Sequence, residues 1–152
     1  MILIEEWGIA QADQVMDLVT KLLVELSDKD DEFAGLDREK ILTEWQSVQD
    51  RFKAFIARLD NGEVVGILTL AESFAIYAGG SYGVINELYV SPQYRNAQVG
   101  KMLLDRAKAY ARLLDWKRID VTAPLGDKWR RTINFYLREG FVNTGPKLRY
   151  KL

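Results

Sequence analysis

The stretch from Ile85 to Leu104, INELYVSPQYRNAQVGKMLL, limits what this chain can become more than any other part of it. An apolar strand ends at Val90, a Ser-Pro turn follows, and Arg95-Asn96-Ala97-Gln98-Val99-Gly100-Lys101 leads directly into an amphipathic helix. The first N–H groups of such a helix lack intrahelical partners, and the helix dipole adds partial positive charge there, so the turn is a natural anion site. With Arg95 and Lys101 flanking it, the expected guest is a phosphate or pyrophosphate, which points to a phosphorylated ligand or cofactor. Two better-known phosphate loops are excluded. A P-loop needs glycine five residues before its Gly-Lys pair and Ser or Thr after it, where this chain has Arg95 and Met102. A dinucleotide fingerprint needs three glycines between strand and helix, and only Gly100 is present.

Composition closes off several chemistries. The chain has no cysteine and no histidine, which removes thiol nucleophiles, disulfides, Ser-His-Asp and Cys-His machinery and most zinc sites. An enzyme built from it must draw its acid and base from Asp, Glu, Tyr, Lys or relayed water. Basic and acidic side chains number 21 and 22, so the basic excess of a general nucleic-acid binder is missing. No apolar run approaches a membrane span, and Met1-Ile2-Leu3-Ile4-Glu5-Glu6 is too short and acidic for a signal peptide. The expectation is a soluble cytoplasmic protein of one domain, residues 1–152, because 48% hydrophobic residues suffice for a packed core.

Periodicity supplies the order of elements. Ile2 to Trp7 reads as a strand. Val15, Leu18, Val19, Leu22, Leu23 and Leu26 fall on one face of a helix from Asp13 to Leu26. After the acidic break Asp28 to Glu32, Asp37 is the expected N-cap of a second helix carrying Ile41, Leu42, Trp45 and Val48. Phe52 to Leu59 and Glu63 to Ala75 read as a hairpin around Asp60-Asn61-Gly62, with Gly66 a weak point or bulge. Gly79-Gly80 leads to the strand ending at Val90, the helix from about Val99 to Leu114 follows, and Lys117 to Thr122 forms a further strand. Trp129 to Glu139 is the last helix, stopped by Gly140, and Phe141 to Asn143 and Lys147 to Leu152 would be closing strands. The sum is an α/β (α+β) layer structure with a mixed central sheet in β-α-α-β-β-β-α-β-α-β-β order.

Over nearly its whole length this arrangement resembles the GNAT superfamily of acyl-CoA-dependent N-acetyltransferases. The resemblance rests on Asn86-Glu87-Leu88-Tyr89-Val90-Ser91-Pro92, on Arg95-Asn96-Ala97-Gln98-Val99-Gly100, and on Asn134-Phe135-Tyr136-Leu137-Arg138-Glu139-Gly140-Phe141. One position departs from the pattern: Gln98 stands where the family usually has its first glycine. A side chain there either crowds the backbone approach to a pyrophosphate or, with ordinary helical dihedrals, leaves only its N–H in use. The second is the expectation.

The resemblance implies transfer of an acetyl group from acetyl-CoA to a primary amine of a small molecule or peptide, by direct attack on the thioester and without a metal. It implies a cofactor-binding set of Leu88, Tyr89 and Val90 on the strand, Arg95, Asn96, Ala97, Gln98, Val99, Gly100 and Lys101 at the turn, and Asn134 on the last helix. Backbone groups of Leu88 and Val90 would pair with the pantetheine arm, and an N–H near Leu88 would face the developing oxyanion. Glu87 is the expected base, directly or through water, on the reading that it shares strand parity with Ile85 and Tyr89 and so sits on a partly apolar face. Tyr136 is the expected acid for the leaving thiolate. The acidic run at Asp28 to Glu32 can steer a cationic acceptor, and Trp45 and Trp129 can flank the same pocket. The alternative is a non-catalytic acyl-CoA-binding, sensing or interaction module on the same fold. The C-terminal strands leave an edge that can pair with a second copy as a homodimer.

Overall fold

The structure is a computed structural model describing residues 1–26, 36–95, 97–123 and 126–152. Its elements are β1 (Ile2–Trp7), α1 (Ala12–Leu26), α2 (Arg38–Val48), β2 (Phe52–Leu59), β3 (Val64–Ala75), β4 (Gly80–Val90), α3 (Val99–Leu113), β5 (Ile119–Val121) and α4 (Arg130–Arg138). They fall into two compact units, residues 1–120 and 121–152, with the division inside β5.

In the first unit the strands lie in the order β1-β2-β3-β4-β5, and β1 through β4 pair antiparallel. Tight turns join β2 to β3 and β3 to β4, whereas α1 and α2 lie between β1 and β2, and α3 between β4 and β5. At the β2–β3 turn Gly62 takes φ 92° and the Glu63 N–H donates to Asn61 Oδ1 at 2.9 Å. Helix α2 starts as its sequence dictates, the Asp37 carboxylate accepting the Lys40 N–H at 3.1 Å. On one face of the sheet Ala54, Ile56, Ile67 and Tyr89 join Val15, Met16, Leu18 and Leu22 of α1 and Trp45 of α2 in one buried cluster. Trp45 meets Phe52 edge-on with centroids 5.0 Å apart, so it belongs to this core.

The other face receives α3. Phe55 lies edge-on to Tyr110, and Val99, Leu103, Leu104 and Ala107 are fully buried. Gly66 is a close-approach position: a Cβ there would stand 3.0 Å from Val99 Cγ1 and 3.1 Å from Leu103 Cδ1. The irregularity expected near it is a bulge between Ala57 and Arg58, whose partners skip from Gly66 to Val64.

In the second unit α4 ends at Gly140, whose φ of 96° is the left-handed stop expected from the sequence. The two closing strands expected at Phe141 to Asn143 and Lys147 to Leu152 do not form, and residues 141–152 carry no regular secondary structure. A strand is defined by its ladder, and the alternation of Lys147, Arg149 and Lys151 with Leu148, Tyr150 and Leu152 supplies a strand pattern without supplying a partner. Leu148, Tyr150 and Leu152 are accordingly exposed.

Candidate active site

A bulge in β4 sets the position of Glu87. Along the β3–β4 pair Ile67 faces Tyr89, Leu68 faces Leu88 and Thr69 faces Glu87, but Leu70 faces Ile85, so Asn86 is an extra residue. The bulge breaks the alternation on which the expected parity of Glu87 with Ile85 depended. Glu87 and Tyr89 lie on the α1 face with Ile67 and Thr69, whereas Ile85 lies on the α3 face with Leu68 and Leu70. The apolar surroundings of Glu87 therefore come from the α1 side.

Thr69, fully buried, is bonded twice to Glu87: its hydroxyl donates to Glu87 Oε2 and accepts the Glu87 N–H at 3.1 Å. Burial pushes the Glu87 carboxyl above the ordinary carboxylate range, and the Thr69 hydrogen bond opposes that shift. Such a group holds a proton more readily than a solvated glutamate, which suits a base.

Beyond the bulge the strand divides its backbone groups between its two edges. Glu87 and Ser91 direct their N–H groups towards β3, to Thr69 Oγ1 and to the Val65 carbonyl at 2.8 Å. By the two-residue period of a strand, Leu88 and Val90 direct their backbone groups to the opposite edge. There β5 is only three residues long, and the Gly83 N–H to Arg118 carbonyl bond of 3.1 Å anchors it near the start of β4. Residues 119–121 cannot reach past position 86, so the edge at Leu88 and Val90 lies beyond β5.

Arg95 is engaged within the chain. Its Nε donates to the Val90 carbonyl at 2.9 Å, and its Nη2 donates to both carboxylate oxygens of Glu25 on α1 at 2.6 and 2.7 Å. The guanidinium also stands 5.9 Å from the Tyr89 ring centroid. Lys101 pairs with Asp105 one turn along α3 at 3.1 Å. Neither Glu25 nor Thr69 was legible as a site residue. Glu25 meets Arg95 across 70 positions of sequence, and Thr69 is a strand-favouring residue inside a strand.

The first ladder bond of α3 runs from the Met102 N–H to the Gln98 carbonyl at 3.0 Å. The N–H groups of Val99, Gly100 and Lys101 lie ahead of it, which gives the turn the donor set a diphosphate requires. Gln98 does not have the ordinary helical dihedrals expected of it: φ is 65° and ψ 17°, left-handed, with no cap bond from its side chain. That is backbone a glycine adopts at no steric cost. The chain keeps the conformation without the glycine, and the Gln98 side chain is exposed. Ala97 is exposed and Val99 buried, while Asn96 and the acidic run Asp28 to Glu32 lie outside the described residues.

In the second unit Tyr136 is buried, with Phe135 and Phe141 against its ring at centroid distances of 5.3 and 5.4 Å. Burial raises its phenol, which therefore stays protonated through neutral pH. Asn134 is exposed on α4, and Trp129 is half-buried at the start of that helix. Among the described residues no group of three or more acidic side chains is placed to hold a metal ion, and no helix is long and apolar enough to cross a membrane.

Comparison with known proteins agrees with this construction. The model of the acetyltransferase (GNAT) family matches residues 18–141. An aminoalkylphosphonate N-acetyltransferase of Salmonella typhimurium is 32% identical over 106 residues, covering 64% of this chain and 68% of its own. A predicted acetyltransferase from Clostridium acetobutylicum, crystallised with acetyl-CoA, superposes with TM-score 0.81 at 15% identity, over 99% of this chain and 96% of that one. An aminoglycoside acetyltransferase from a soil metagenomic sample gives TM-score 0.81 at 17% identity, over 100% and 99%. The chain belongs to the acetyltransferase (GNAT) family, and its mixed sheet with flanking helices is that family's fold.

Proposed function

We propose that this protein transfers the acetyl group of acetyl-CoA to a primary amine, with Glu87 as the base that receives the amine proton. The observation that carries the reading is a half-buried carboxylate held at a bulge, one residue before a strand edge that β5 leaves uncovered. The relative's name supports an amine as the acceptor, since the Salmonella protein is an N-acetyltransferase of aminoalkylphosphonates.

When bound, acetyl-CoA supplies the activated acyl group. The residues that would hold it are the outward backbone groups of Leu88 and Val90, the N–H groups at the start of α3, and Arg95 once it exchanges Glu25 for phosphate. The Leu88 N–H is the donor offered to oxyanion charge. Glu87 takes the proton: an N–H bond of the ammonium breaks, an O–H bond forms on the carboxyl, and the amine lone pair is freed. As the amine nitrogen bonds to the acyl carbon and the C–S bond breaks, Tyr136, protonated by virtue of its burial, would give its proton to the departing thiolate and regain one from the second N–H that the new amide nitrogen sheds. Asn134 is a polar partner on the same helix.

The test is thiol release from acetyl-CoA with a panel of amines that includes aminoalkylphosphonates, aminoglycosides and lysine peptides. Turnover that Glu87→Gln abolishes while acetyl-CoA binding survives supports the reading. Tight acetyl-CoA binding with no turnover on any amine would replace the enzyme with a binding or sensing module.

A further inference from the structure

Among the described residues Thr69 is the one buried polar side chain, set in a strand whose neighbours Val65, Ile67, Leu68 and Leu70 are apolar. Valine has the same shape and avoids burying a hydroxyl, so the oxygen needs a reason to be there. Half of that reason is local. The bulge at Asn86 disturbs the regular ladder at Glu87, and Thr69 Oγ1 accepts the Glu87 N–H. The other half is not required by the backbone, because the same hydroxyl also donates to the Glu87 carboxylate.

A hydroxyl carries one proton. With Oγ1 accepting from the Glu87 N–H, that proton has a single direction left, towards Oε2. Oε2 thus has one of its lone pairs taken and is held towards Thr69, which leaves Oε1 as the oxygen with both lone pairs open to another donor. We propose that Thr69 is a positioning residue for the acetyl-transfer reaction, clasping Glu87 at its N–H and at Oε2 so that Oε1 is the atom that takes the proton of the acceptor amine. The inference rests on the reading of Glu87 as the base and adds to it the atom and the residue that orients it. On proton transfer the ammonium N–H breaks and Oε1–H forms, while Oε2 keeps the Thr69 bond throughout. The carboxylate neither turns nor loses its partner between its two states. Burial raises its basicity, and the Thr69 hydrogen bond lowers it.

Thr69→Val removes both halves of the clasp, and Thr69→Ser keeps both. The readouts are the carbon-13 carboxyl titration of Glu87, identified by its loss in Glu87→Gln, and steady-state kinetics with acetyl-CoA and the best amine of the panel. In Thr69→Val the Glu87 midpoint moves to higher pH, because a bond favouring the carboxylate is gone. The acid limb of the kcat/KM profile moves with it, and kcat falls roughly ten- to a hundredfold as the base loses its orientation. Acetyl-CoA affinity stays within about twofold, which reports an intact fold. Thr69→Ser restores midpoint and rate, a rescue that a role in packing alone does not give, since serine lacks the methyl group. If Glu87→Gln is inactive but Thr69→Val leaves midpoint and kcat in place, the clasp is wrong and the base stands. Equal damage from Thr69→Val and Thr69→Ser also removes the hydroxyl as the agent. Full activity in Glu87→Gln overturns the base and the clasp together.

Discussion

Gln98→Gly is expected to stabilise the protein, and the size of the gain follows from one dihedral. Gln98 holds φ at 65° with no side-chain bond in return. Left-handed backbone costs a residue with a Cβ roughly 1–2 kcal/mol. Glycine removes that cost but gives back roughly 0.5–1 kcal/mol through the freedom of the unfolded chain. The net is a gain of about 0.5–1 kcal/mol, and at about 2–4 °C per kcal/mol for a chain of this size the melting temperature rises by roughly 1–4 °C. Gln98→Ala is the control, because it deletes the exposed side chain and keeps the Cβ, and it should melt within about 1–2 °C of the wild type. Calorimetric melts of the three proteins read the difference. Because the turn is already left-handed in the free protein, its strain is common to the free and bound forms, and acetyl-CoA affinity should stay within about twofold. Should Gln98→Gly melt at or below Gln98→Ala, the left-handed turn is not the ground state of the loop.

Three other expectations come from neighbouring parts of the site. Gly66→Ala drives a methyl into the fully buried Val99 and Leu103, so it should cost about 1–3 kcal/mol in urea denaturation and weaken acetyl-CoA binding by displacing the start of α3. Glu25→Gln frees Arg95 from a half-exposed pair whose loss costs stability at most about 1 kcal/mol. It should tighten acetyl-CoA binding up to about fivefold at low salt and less at high salt, as calorimetry reports; weaker binding would remove Arg95 from the phosphate site. Because burial lifts the Glu87 carboxyl above its unfolded value, folding favours the protonated form. The stability from that source is complete below the ordinary value of 4.5 and is lost as pH rises through the folded value. Between about pH 4 and pH 7 the wild type should therefore lose stability relative to Glu87→Gln, and parallel urea midpoints across that range would refute the shift.

What the sequence made legible was whatever depends on near neighbours. The bounds of β1 and β2, the Asp37 cap, the Gly62 turn and the Gly140 stop all follow from residues within a few positions of each other. The strand-turn-helix of β4 and α3 and the family it implies belong to the same class, because the segment is contiguous. Features that need a distant partner were not legible. The extra residue at Asn86 appears only once β3 fixes the register, and it moved Ile85 to the face opposite Glu87. Arg95 read as a free cation until α1 brought Glu25 to it. The tail from Lys147 to Leu152 has the two-residue period of a strand, yet period alone supplies no ladder. Gln98 was misjudged for a different reason: amide side chains fit helices well enough that composition gives no hint of a left-handed φ.

The bulge in β4 makes the count of residues there matter more than their identity. Asn86 is exposed, so many side chains should be tolerated at that position with little consequence. Deleting it is another matter, because it would merge Ile85 and Glu87 into a regular ladder, each on its present face and opposite Leu70 and Thr69, and the bend and added twist of the bulge would be lost. In that regular ladder the Glu87 N–H would pair with the Thr69 main-chain carbonyl, and the Thr69 hydroxyl would no longer be its acceptor. Relatives of this chain should accordingly vary freely in what they put at this step of the strand while none of them shortens it.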